Sequence, residues 1–328
     1  MSQIVLPHIW KPLDDPSFGL MYDFSQSIRS QEINDPGLLP DLRTGSTILV
    51  VSDYSGKHDT AFYESLSFLL ADIECCTVWE EKRHRLRRRF LTDGRRMAFK
   101  NLNDKERKKA LPYFLGAADS IPGLSATVLI DKRIESLFSK SGGIDRSQPE
   151  LEPYAHWRKT SFEKMLRVVH FISFFIAGLS RKNQDIVWVT DEDEIAANEQ
   201  RLRELTEIWG IVISNYLQHN LRHLRCGTTK LDDGSRQLED LASIPDLIAG
   251  TLTEVFTAQQ NEGLMPTRNL LIVPPARGLS SKAMEVISWF ANSSQPLKRL
   301  VYLIQPIEGS TSLGIGRLQF YNSTGSKR

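Results

Sequence analysis

A run of apolar residues, Ile48-Leu49-Val50-Val51, stops abruptly at Ser52-Asp53-Tyr54-Ser55-Gly56. β-Branched residues bounded by Gly45 and Gly56 predict a buried strand over Thr47–Ser52. A carboxylate at the end of such a strand is costly to bury unless a hydrogen-bonding turn, a basic side chain or a metal ion satisfies it. We expect a divalent metal at Asp53, held together with acids delivered from far along the chain.

The rest of the chain alternates between the two periods. Phe62, Leu66, Phe68 and Leu70 partly alternate over Thr60–Ala71, which predicts a second strand returning antiparallel. A basic helix follows over Cys76–Leu91, then a third strand in DGRRMAFKNL after an Asp93-Gly94 turn. Asn103 or Asp104 caps the next helix, which Pro112 should kink or stop. Ala126–Asp131 reads as a strand, Ser139–Pro149 as a surface loop, and Glu150–Leu179 as a core helix with apolar residues at three- and four-residue steps. Asp185–Thr190 is a buried strand running into four acids, followed by a helix over Glu194–Tyr216 and a strand within Leu221–Lys230. In the helix Leu238–Phe256, Pro245 fits best in a first turn capped by Ser243, which would set Asp246 near the helix N-terminus. NLLIVPP, KRLVYLIQPI and LGIGRLQFYN add strands, with a helix in SSKAMEVISWFAN. This order predicts an α/β fold with a mixed sheet flanked by helices. Residues 1–43, rich in Pro and Asp but carrying aromatics, form an extended arm packed on a domain spanning 44–258. Residues 259–328 form a C-terminal α/β extension packed on that same domain.

The formal net charge is only +1, but it is unevenly spread. Between Lys82 and Lys109 thirteen Lys and Arg face three Asp and Glu, so the remainder of the chain is acidic. Such a basic face on an acidic body suits a polyanion, and is equally what a solvated helix face would show. Three cysteines, Cys75, Cys76 and Cys226, are too few for a disulfide framework or a zinc cage. With no signal-peptide pattern and no apolar stretch long enough for a bilayer, the expectation is a cytoplasmic protein without a membrane partner.

Three acids stand out by position. Asp53 ends the first strand, Asp191 ends a strand far downstream, and Asp246 lies on an otherwise apolar helix. Strand-end acids can converge at one edge of a sheet, and a helix crossing there can add a third. Hard oxygen donors of this kind suit Mg²⁺ or Mn²⁺. Each acid also has a plain structural role open to it. Asp53 can close an Asx turn, Asp191 can cap a helix starting near Asp193, and Asp246 can meet a helix dipole.

This layout resembles the ribonuclease H-like superfold, and is similar to the family of inferred nucleases catalogued as domain of unknown function thirty-eight hundred. That family's opening Asp-Glu-Ser-Gly turn stands here as Asp53-Tyr54-Ser55-Gly56. Its strand-three Glu-x-Lys stands as Ala98-Phe99-Lys100, its later Asp as Asp191, and its closing helical segment as Pro245-Asp246-Leu247-Ile248-Ala249-Gly250. The resemblance implies a Mg- or Mn-dependent nuclease or phosphoesterase acting on nucleic acid. Asp53, Asp191 and Asp246 would be metal ligands, and Lys100 would lie near the scissile phosphate. The departures are Tyr54, in place of the second acid of the opening turn, and Ala98, which cannot bind metal; Glu64, Glu74 and Glu80 are the candidates to replace the missing acid. The alternative is a catalytically inactive module of the same fold that binds nucleic acid or a protein partner. A homo-oligomer or a scaffold in a bacterial defence assembly also remains open.

Overall fold

The computed structural model describes residues 8–138, 149–264, 271–272, 278–292 and 295–320. Most of the loop expected over Ser139–Pro149 lies outside the described residues, as do parts of the NLLIVPP segment and the chain beyond 320. In chain order come helix α1 (Leu20–Asn34), strands β1 (Thr47–Ser55) and β2 (Tyr63–Asp72), and helices α2 (Thr77–Phe90) and α3 (Lys105–Ala118). Strand β3 (Gly123–Asp131), helix α4 (Lys159–Leu179), strand β4 (Asp185–Thr190), helix α5 (Glu199–Tyr216) and strand β5 (His223–Thr228) follow. The chain continues through α6 (Gln237–Asn261), the two-residue β6 (Leu271–Ile272), α7 (Ser281–Phe290), β7 (Leu297–Pro306) and β8 (Leu313–Phe320).

The protein is α/β. Its mixed sheet has the order β5-β4-β1-β2-β3-β7-β8, with β6 beside β8 at the edge. Strands β1, β2 and β3 form an antiparallel meander. β4 joins β1 in parallel, β5 joins β4 in parallel, and β7 joins β3 in parallel. Strand alternation divides the core between the two faces. Ile48 and Val50 of β1 pack with α1, α4 and α5, whereas Leu49 and Val51 pack with α2, α3, α6 and α7. No helix among the described residues is long and apolar enough to cross a membrane.

Several local expectations are corrected. DGRRMAFKNL is not a strand; after a loop it forms a single 3-10 turn, Phe99–Asn101. Side chains satisfy its backbone carbonyls instead of a neighbouring strand: Arg107 Nε donates to Arg96 O at 2.8 Å, and Ser243 Oγ lies 2.6 Å from Met97 O. Pro112 neither stops nor ends its helix, which runs on to Ala118. Proline has no N–H to give the carbonyl four residues back, which belongs to the exposed residue Lys108. Pro245 likewise lies inside α6, so Ser243 is no cap and Asp246 is far from the helix N-terminus. There Asp232 accepts from Leu238 N at 2.8 Å and serves the first turn. The N-terminal arm is not extended throughout, because α1 is a fifteen-residue helix. Phe24 of α1 stacks on Phe174 with centroids 4.7 Å apart, and Trp10 Nε1 donates to Ser25 Oγ at 3.0 Å.

Candidate functional site

Parity along β1 decides where Asp53 points. Leu49 and Val51 face α6, and Asp53 is two residues on, inside a strand that continues to Ser55 rather than ending at Ser52. In the neighbouring strand Val187 and Val189 share that face, and Asp191 follows one residue beyond the strand end. Ser52 pairs with Thr190, so the next residues on both strands, Asp53 and Asp191, stand level. Parallel neighbours are about 4.8 Å apart. Helix α6 crosses this face over β1 and β2 and brings Asp246 to the same place.

The electrostatics register the convergence. The Asp53 carboxyl is pushed well above the ordinary carboxylate range by burial, then by the negative charges of Asp246 and Asp191. Asp246 is raised as well, mainly by burial, and Asp191 adds to the shift. Arg96 opposes both shifts. Its Nη1 lies 3.3 Å and 3.4 Å from the two carboxylate oxygens of Asp191, while its Nε is buried and has no hydrogen-bond partner. Thr229 Oγ1 donates to Asp191 at 3.3 Å, Phe99 N donates to Asp246 Oδ2 at 2.6 Å, and Tyr54 N donates to Asp53 Oδ1 at 2.5 Å.

The plain structural roles for two acids fall away. α5 begins only at Glu199 and is capped by Asn198, whose Oδ1 accepts from Arg201 N at 2.9 Å, so Asp191 is not its cap; the backbone N–H that Asp191 accepts from is that of the adjacent Glu192, at 3.1 Å. Asp246, in the interior of α6, meets no helix N-terminus. Lys100 is not a strand residue; it is exposed on the 3-10 turn, where its charge partly offsets that of Asp246. Tyr54 alternates to the opposite face, its hydroxyl 2.6 Å from Ser52 Oγ and its ring 4.6 Å from Lys164 Nζ. None of the three candidate replacement acids joins the cluster. Glu64 accepts from Arg167 at 2.8 Å on the α4 side, Glu74 accepts from Ser46 before β1, and Glu80 accepts from Arg83 within α2.

The sequence alone did not point to Arg96 or Lys282, and it offered Ser243 only as a helix cap and Gly250 only as the end of the Pro245–Gly250 segment. Arg96 was hidden in a basic run that offered no reason to single it out. Ser243 and Gly250 hold the Met97–Phe99 segment against α6: a Cβ at Gly250 would lie 2.4 Å from the Phe99 ring. Lys282 seals the segment from outside, donating to Phe99 O at 2.9 Å and lying 4.2 Å from its ring centre. On the opposite sheet face a cavity of ≈ 620 Å³ is lined by Lys164, Arg167 and Glu64. Its buried cations are already engaged, Lys164 with Asp193 at 2.6 Å and Arg167 with Glu64 and Glu163.

The three aspartates offer hard oxygen donors whose negative charge Arg96 and Lys100 offset only in part, which is the donor chemistry that suits Mg²⁺ or Mn²⁺. Among the described residues no three Asp, Glu, His or Cys side chains are gathered tightly enough to enclose an ion as they stand. Arg96 holds part of Asp191's binding capacity. No family model matches this chain, and comparison with curated proteins and with solved structures finds no match.

Proposed function

We propose that this chain is a divalent-metal-dependent phosphodiesterase acting on nucleic acid, built on a ribonuclease H-like version of the α/β fold and related to the nuclease family its motifs resemble. The observation that carries the reading is the convergence of Asp53, Asp191 and Asp246, with two of the carboxyls raised by burial and by the neighbouring acids. The meander followed by parallel crossovers supports the fold assignment, since it makes β1 and β4 neighbours with level ends.

Asp53, Asp191 and Asp246 would hold the ion, which when bound supplies Lewis acidity toward a phosphate oxygen and an acidified water. The remaining roles belong to the chain. The Phe99 amide fixes one oxygen of Asp246. Arg96 restrains Asp191 and sets beside the acids a guanidinium, the group suited to a phosphate. Lys100, exposed at the rim, adds positive charge where a phosphodiester would approach. We expect Asp53→Asn to abolish Mg²⁺-dependent cleavage of oligonucleotides while thermal unfolding stays cooperative. Cleavage retained in that variant would rule the assignment out.

A second reading keeps the fold without catalysis. It is favoured by the lack of a fourth acid, since Ala98 is buried and Glu64, Glu74 and Glu80 are committed elsewhere. Calorimetric titration separates the two: no Mg²⁺ or Mn²⁺ heat, with nucleic-acid binding intact, selects the inactive module.

A further inference from the structure

We propose that the outward face of α2 and α3 binds single-stranded nucleic acid, with Tyr113 stacking on a base and Arg88, Arg89 and Lys105 meeting the phosphates. Helix α2 divides its cations into two rows. Arg83 and Arg87 turn inward onto buried Asp240, at 3.3 Å and 2.6 Å, and are spent on holding the helix down. Arg88 and Arg89 point outward and make no ion pair among the described residues. Lys105 and Lys100 are exposed as well, and extend the positive charge to the segment beside Asp246.

Charge alone would suit any polyanion; the aromatic residues narrow the choice. Phe90 and Tyr113 stack across the two helices with centroids 4.8 Å apart and planes 28° from parallel. The Arg89 guanidinium lies 4.9 Å from the Phe90 centroid and 5.4 Å from that of Tyr113. Tyr113 is 51% exposed, a large ring left in water beside cations. Cations that track a backbone, with aromatic rings for unstacked bases, are the equipment of single-strand binding, whereas a duplex hides its base faces. α2 runs toward the Arg95–Asn101 segment and α3 runs away from it, so the surface leads to the acids. Each helix is about 21 Å long, enough for several nucleotides.

This inference rests on the nucleic-acid part of the reading above and not on the metal. The test is fluorescence anisotropy in EDTA, which prevents cleavage, with labelled oligothymidylate, oligouridylate and a duplex of equal length. The wild type should bind the single strands more tightly than the duplex, and the two single-strand arms tell DNA from RNA. Tyr113→Ala should weaken binding about 5- to 150-fold, while Tyr113→Phe, which keeps the ring, should bind as the wild type does. Arg88→Ala and Lys105→Ala should each lower the log–log salt slope by roughly 0.7. Equal affinity for duplex and single strand would overturn the proposal. So would Tyr113→Ala binding at full strength with an unchanged melting curve. Metal calorimetry on the same protein keeps the two readings apart: strand binding without Mg²⁺ heat removes the metal centre and leaves this surface, and Mg²⁺ heat without strand binding does the reverse.

Discussion

Gly250 governs how near the Met97–Phe99 segment can come to α6. Any side chain there meets Phe99, whose own ring is covered by Lys282 and cannot swing away without breaking that contact. We expect Gly250→Val to cost about 1–3 kcal/mol in urea denaturation, the usual range for overpacking. It should also weaken Mg²⁺ binding in calorimetry, because the Phe99 amide that orients Asp246 would be displaced. Asp53, Asp191 and Asp246 were legible in the sequence because each breaks an apolar pattern. Arg96 was not, because an arginine among arginines breaks nothing visible, and Gly250 showed only as the end of the Pro245–Gly250 segment, with no sign of what it packs against. Their meaning depends on a loop lying against a helix some 150 positions later, a relation no local period encodes.

At the level of elements, α2 is anchored by charge as much as by its apolar residues. Asp240 is fully buried on α6 and accepts from both Arg83 and Arg87. Removing one member of such a network leaves the others uncompensated. Asp240→Ala should therefore destabilise the protein by about 3–5 kcal/mol, measured by chemical denaturation, and should loosen α2 first. The helices and most strands could be read from local pattern, since α4 and α5 keep a helical period and β1 and β4 are short unbroken apolar runs. The failures share a cause. By local rule Pro112 was read as a breaker and Pro245 as a first-turn residue, but both helices run through them because tertiary packing outweighs the lost hydrogen bond. The Arg95–Asn101 segment imitated a strand, yet its backbone is satisfied by Arg107 and by α6 side chains.

For the molecule as a whole, the gathered acids are a liability when no cation offsets them. A carboxyl whose pKa is raised on folding binds more protons in the native than in the unfolded chain, so its contribution to stability declines as pH rises from about 3.8 through the raised value. Asn mimics the protonated acid and can still accept from Tyr54 N. In EDTA, Asp53→Asn should thus melt higher than the wild type at neutral pH, and the difference should vanish on acidification below about 3.8. Scanning calorimetry across pH reads both. A variant that melts lower at neutral pH would contradict the crowding of charge described at Asp53. The arrangement that creates this liability is a matter of counting along β1, where odd positions look toward α6 and even ones toward α4. For the lineage that carries this chain, the stretch from Thr47 to Asp53 therefore cannot gain or lose one codon without turning the acid away from Asp246, whereas the turn between Gly56 and Tyr63 has room to drift in length.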